Sequence, residues 1–161
     1  TISYKIVDIQ SIPFADNAFD IVIANMMLYH VPDLKKGLAE VRRVLKSGGT
    51  FYCATHGENG IVPYLCALLR PWGAKYTPNH TFTLQNGAAI LREVFSEVRR
   101  LIYEDSLAVT RIDDIVDYIF SLPDMPELHS IPRETIHSVL SGNMENGVLN
   151  IPKEYGMFVA R

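Results

Sequence analysis

Phe19-Asp-Ile-Val-Ile-Ala24, then Leu34-Lys-Lys-Gly-Leu-Ala-Glu-Val-Arg-Arg-Val-Leu-Lys46, then Gly48-Gly-Thr-Phe-Tyr-Cys-Ala-Thr55, is the stretch that decides the fold. Phe19, Ile21, Val22 and Ile23 form a nearly continuous apolar run, the pattern of a parallel strand buried on both faces. Leu34, Leu38, Val41 and Leu45 recur at helical spacing, with Val44 beside them. Asp33 is placed to cap this helix, and Arg42, Arg43 and Lys46 to complement its C-terminal dipole. Gly48 and Gly49 are expected to stop it. Thr50–Thr55 then reads as a second buried strand. Strand, helix, glycine turn and strand make a right-handed crossover, the unit of a parallel sheet.

Upstream, Ile2, Tyr4 and Ile6 predict a strand ending near Asp8, followed by a loop over 10–17 that holds Pro13. Downstream, helices are expected over 61–70, 86–95, 110–121 (capped by Thr110) and 132–140, with a strand over 97–104. Residues 122–132 read as loop. Gly142–Gly147 is a turn cluster, and 148–151 with 155–160 suggests a closing hairpin. No repeat or linker divides the chain, so one domain over 1–161 is expected, with 61–82 as a lid or insertion.

Composition narrows the function. Apolar residues are 48% and charged residues 20%, as in an ordinary globular protein. The net charge of −3 leaves no basic excess to neutralise a phosphate backbone, so nucleic acid is not an expected partner. The longest apolar stretches, 61–69 and 21–31, are too short to span about 30 Å of hydrocarbon, so no membrane association is expected. Cys53 and Cys66 make no disulfide framework, which suits a reducing cytoplasm. Cys53-Ala-Thr-His56 lacks a second ligand pair at zinc spacing, so no metal site is expected.

Three segments, in order, carry a resemblance. They are Asp8 followed by Ser11-Ile-Pro-Phe14; Phe19-Asp-Ile-Val22 through His30-Val31; and Arg43-Val-Leu-Lys-Ser-Gly-Gly49. Over about residues 5–55 the chain resembles the seven-stranded, Rossmann-like methyltransferases that use S-adenosylmethionine, of the type 11 kind. Ser47 stands where the family usually has proline. The resemblance implies an α/β fold with sheet order 3-2-1-4-5-7-6, mostly parallel, closing in a C-terminal antiparallel hairpin. The family's first strand ends in a Gly-x-Gly-x-Gly loop that passes close to the cofactor, where a side chain would block the approach. No such triplet occurs among this chain's glycines. The first two family strands are therefore expected to be missing, as in a fragment or truncation, with one edge of 19–24 left open.

The resemblance implies S-adenosylmethionine as cofactor and a small-molecule methyl acceptor. It assigns Asp8 to the adenine amine and the Ile9 N–H to an adenine ring nitrogen; the ordinary alternative for Asp8 is a turn residue. Asn25 and Met26 end a central strand, the edge where open α/β sheets bind ligands, and the resemblance places them beside the cofactor's methionine part. Their alternative roles are loop hydrogen bonding and core filling. His30 is the candidate catalytic base, and Tyr29, His56 and Glu58 are candidates for the substrate side, each with packing or turn formation as its alternative. Two functional expectations follow. One is methyl transfer in the complete protein. The other is a non-catalytic remnant that forms a homodimer through its open sheet edge.

Overall fold

The computed structural model describes residues 2–123 and 125–161. It is an α/β fold whose four-stranded sheet has the order β1-β2-β4-β3. The strands are β1 (Phe19–Asn25), β2 (Leu45–His56), β3 (Val98–Val109) and β4 (Leu149–Ala160). β1 and β2 run parallel across the helix α1 (Leu34–Val44). β4 lies antiparallel to β2, pairing Phe51 with Ala160 and His56 with Tyr155. This is the 4-5-7-6 part of the order implied by the resemblance.

The chain forms two compact units. The first comprises 1–57, 79–103 and 155–161. In it Asp33 caps α1 by accepting from the Lys36 N–H at 3.0 Å, as its position predicts. Leu38 and Val41 of α1, and Leu91 of the short helix α3 (Gly87–Arg92), share one core with Phe51, Cys53 and Phe158 of the sheet. β1 departs from the expectation of burial on both faces: Ile21 and Ile23 are 54% and 69% exposed. The helices of this unit pack on the face of Ala24, Phe51 and Cys53, and side chains alternate along a strand.

Three expectations are corrected. Residues 2–7 form no strand; Ile2 and Ile6 are exposed, and only Asp8 makes an isolated bridge, to Ser11. Alternation alone does not create a strand, because backbone groups need a partner ladder. α1 ends at Val44, not at Gly48-Gly49, because Leu45 is already extended and starts β2. The glycines instead form a bulge early in β2, where the register against β1 jumps from Phe19↔Leu45 to Ile21↔Thr50. Gly48 adopts φ +75°, and a Cβ on Gly49 would sit 3.1 Å from the Asp20 carbonyl. Lys46, displaced from the helix, pairs with Asp20 at 2.9 Å. The closing hairpin is likewise one strand: β4 runs unbroken through Pro152–Tyr155.

The second unit comprises 58–78 and 104–154. Its helices are α2 (Ile61–Leu69), α4 (Ile112–Ser121), α5 (Pro126–His129) and α6 (Arg133–Gly142). Leu65 and Leu69, Ile115 and Ile119, and Ile136 and Leu140 bury their faces together. Pro63 sits in the first turn of α2, where its missing N–H costs nothing. Arg111, not Thr110, occupies the N-cap of α4 and makes no side-chain cap bond; Asp113 and Asp114 supply negative charge to that end. The expected loop over 122–132 holds α5, started by Pro126; Asp124 lies outside the described residues. The turn before β4 is centred on Asn146 and Gly147, both with positive φ, the chemistry of a type I′ turn.

Candidate functional site

The turn at 8–11 is built by its own polar groups. Asp8 Oδ1 accepts from the Gln10 N–H at 2.8 Å, and the Ser11 N–H donates to the Asp8 carbonyl at 3.0 Å. The Gln10 bonds hold the Asp8 carboxyl below its ordinary range, so it is an ionised acceptor. Gln10 Oε1 in turn accepts from the Asp33 N–H, tying the turn to the start of α1. The Ile9 side chain packs toward Gly37 of α1, where an added Cβ would meet it at 3.4 Å. The Ile9 N–H has no acceptor among the described residues. An ionised acceptor at Asp8 therefore neighbours a free donor at Ile9. That pair fits the edge of an adenine, which offers an exocyclic amine beside an accepting ring nitrogen.

Arg43 and Glu40, on one face of α1, hold the next stretch. Arg43 Nη2 donates to the Ile12 carbonyl at 2.8 Å, and Nη1 donates to the Phe14 carbonyl at 2.8 Å and to Asp16 at 2.7 Å. Its Nε and Nη2 also donate to Glu40, at 2.7 and 2.8 Å. Glu40 Oε2 accepts from the Ile12 N–H at 2.8 Å, and the Arg43 carbonyl accepts from the Asn17 N–H at 3.0 Å. The Arg43 bonds and the Ile12 N–H lower the Glu40 carboxyl to about 2. Reading Arg43 only as a helix-end cation misses this role; the signal available was the Glu40/Arg43 spacing of three, which places both on one helix face.

The second cluster lies at the C-terminal ends of β1 and β2. Met26 has φ +53°, a left-handed conformation uncommon for a residue other than glycine, and its N–H donates to the Ala54 carbonyl at 3.0 Å. Asn25, at the end of β1, is exposed. A turn of 3-10 helix over Leu28–His30 then brings Tyr29 against His30 and His56, with ring centroids 4.4 and 4.7 Å apart. His56 Nδ1 donates to the Gly57 carbonyl at 3.0 Å, which leaves Nε2 of the neutral ring as an acceptor. Burial, with the Tyr155 phenol as a lesser cause, pushes the Tyr29 phenol up and keeps it neutral. The backbone here is pinned from 79–86: Asn79 donates to the Tyr29 carbonyl at 3.0 Å, Leu84 N–H to the His56 carbonyl at 3.1 Å, and Thr55 Oγ1 to the Phe82 carbonyl at 3.0 Å.

The structure thus brings together Tyr29, His30 and His56 on the edge that carries Asn25 and Met26. Glu58 falls in the other compact unit. Cys53 is buried in the sheet core, and burial pushes its thiol up to about 12.

The methyltransferase domain family matches residues 1–53. Among curated proteins, the uncharacterized protein YafE of Escherichia coli is 55% identical over 40 residues, 25% of this chain and 19% of that protein. The ubiquinone/menaquinone biosynthesis C-methyltransferase UbiE of Desulfotalea psychrophila is 44% identical over 67 residues, 40% of this chain and 27% of that protein. The matches thus span about a fifth to a quarter of these relatives' length. Among solved structures, a protein of Anaeromyxobacter dehalogenans provisionally assigned as a type II methyltransferase superposes with a TM-score of 0.65 at 18% identity, over 99% of this chain and 71% of that one. YcgJ of Bacillus subtilis gives 0.56 at 18%, over 94% and 67%. At such identities the likeness is one of fold.

Proposed function

Since this chain is a relative of the Rossmann-like, S-adenosylmethionine-dependent methyltransferases, we propose that the protein it represents transfers a methyl group from that cofactor to a small-molecule acceptor. The observation that carries the reading is the pairing of the ionised Asp8 with the free Ile9 N–H, an acceptor and a donor in the order an adenine edge requires. Asp8 would accept from the adenine amine, and the Ile9 N–H would donate to the ring nitrogen. Asn25 and Met26 would line the methionine side. The cofactor supplies an electrophilic methyl group.

His30 is proposed to take the proton of the acceptor nucleophile, with Tyr29 and His56 holding the acceptor in line. The two free, buried cysteines support a cytoplasmic setting. Among the described residues no helix is long and apolar enough to cross a membrane.

Calorimetric titration of the 161-residue chain with S-adenosylmethionine tests the cofactor reading. Micromolar binding that is lost in Asp8→Ala supports it; binding unaffected by Asp8→Ala sinks the assignment of that residue.

A specific observation favours a second reading, self-association of this chain through an open sheet edge. Among the described residues no strand pairs with the outer edge of β1, whose Ile21 and Ile23 are exposed. β1 has no lysine, proline or bulge between Ile21 and Ala24 to discourage pairing. Light scattering after gel filtration decides it: a dimer that Ile23→Lys converts to monomer supports this reading, and a monomer at ~100 μM rejects it.

A further inference from the structure

We propose that Arg43, together with Glu40, is the positioning residue of the adenine-side loop: its guanidinium sets the backbone path of residues 11–17 and so the presentation of the Asp8-Ile9 pair. The use of that pair for adenine rests on the function proposed above; the positioning itself rests on hydrogen bonds within the chain.

Ile12 packs against the core and the Phe14 ring meets Phe19 edge-on at 5.0 Å, but these apolar contacts leave the backbone polar groups of the loop to be satisfied elsewhere. Residues 12–18 belong to no helix or strand. The backbone bond from Phe14 N–H to the Ile12 carbonyl is local and closes only a tight turn. Among the described residues, every longer-range hydrogen bond of the 12–17 backbone goes to Arg43 or Glu40. The carbonyls of Ile12 and Phe14 accept from the Arg43 guanidinium, the Ile12 N–H donates to Glu40, and the Asn17 N–H donates to the Arg43 carbonyl. Asn17 has φ +56°, a conformation that this last bond helps to hold.

Only arginine fits this place. The two carbonyls, the Asp16 carboxylate and both Glu40 oxygens are reached by a planar fork of donors. A lysine ammonium has three donors at one point and cannot serve acceptors so widely spread. Glu40 neutralises the guanidinium and aligns it, while its own Oε2 is shared with the Ile12 N–H. Both side chains are partly sheltered, at 31% and 21% exposure, so these charge-assisted bonds are not fully screened. The loop is thereby fastened to the outer side of α1, the same helix against which Ile9 packs and whose N-cap residue Asp33 bonds Gln10.

The test uses the full chain with Arg43→Lys and Glu40→Gln. Amide hydrogen exchange is read separately for peptides covering 8–17 and 50–56, and S-adenosylhomocysteine affinity is read by calorimetry. Arg43→Lys is expected to speed exchange over 11–17 about tenfold and leave 50–56 unchanged, as the loss of a hydrogen bond to a charged group implies. Glu40→Gln, which keeps an acceptor for the Ile12 N–H, is expected to change the same segment less. Unchanged exchange over 8–17 in Arg43→Lys, or an equal rise over 50–56, overturns the proposal. If the wild-type chain binds S-adenosylhomocysteine, Arg43→Lys is expected to weaken binding about tenfold. If the wild type does not bind, the cofactor reading fails for this chain, while the exchange result still decides the positioning role.

Discussion

The loop at 8–17 and the strand tips at 25–30 and 56 are two parts of one candidate site, held by opposite means. The loop has no ladder of its own: Asp8 and Gln10 build its first turn, and Glu40 and Arg43 of α1 bond the backbone of 12–17. The tips are continuations of the sheet: Met26 still bonds to Ala54, and His56 is still in register with Tyr155. One part is therefore set by charge-assisted bonds at partly exposed positions, the other by packing and backbone pairing. The first should be sensitive to salt and pH locally, and the second to anything that disturbs the core.

The largest effect should come from the core and fall on the tips. Phe51 is fully buried and stacks on Phe95 with centroids 5.7 Å apart. Phe51→Ala is expected to cost about 3–5 kcal/mol, read by thermal or urea unfolding. A cost below 1 kcal/mol would mean that the sheet face is not the base of the site.

Gly156 comes next. A Cβ there would lie 2.5 Å from the Leu101 carbonyl oxygen and 2.9 Å from Leu84 Cδ2. Gly156→Ala is expected to destabilise by roughly 1–3 kcal/mol, because backbone must move. Since Gly156 pairs with Thr55, next to His56, the shift should appear in the His56 ring signals by NMR and spare residues 8–17.

Met26 probes the tip alone. Its positive φ costs of order 1–2 kcal/mol, which glycine relieves and a β-branched residue worsens. Met26→Gly is expected to be more stable than Met26→Val by at least about 1 kcal/mol in parallel denaturation curves. Equal stabilities would show that the turn relaxes freely.

The smallest effects are those of pH, and they separate the two parts by sign. Glu40 is lowered from 4.5 to about 2 in the fold, so its contribution is complete above pH 4.5 and is lost as pH falls through 2. Asp8 shifts in the same direction. Protection of 8–17 against exchange, taken relative to the intrinsic rate at each pH, should therefore fall on acidification. Tyr29 is raised above 10.0, so the fold resists its ionisation and the tips weaken as pH climbs past 10. Acid that loosened the tips before the loop would reverse the comparison.

Much of this was legible in sequence. The apolar run at 19–24 and the spacing of Leu34, Leu38 and Val41 are local periodicities, and they became β1 and α1, although α1 ends at Val44, short of the glycine pair. The Asp33 cap is equally local. Alternation at 2–7 was misleading because a strand is a relation between two chains of backbone, and one segment cannot supply both. The supposed hairpin in 148–160 failed for the converse reason: β4 stays extended across Pro152 within a sheet that places it between β2 and β3.

The amino-acid sequence by itself determined the crossover unit, the kinship it carries and the residues available at the strand ends, because these rest on spacing along the chain. Only the tertiary structure decided that Arg43 binds a loop some thirty residues away, that the glycine pair bulges a strand instead of ending a helix, and that Tyr29, His30 and His56 meet. Those facts depend on which backbone groups find partners across the fold, and the satisfaction of buried and half-buried hydrogen-bonding groups is a property of the folded whole.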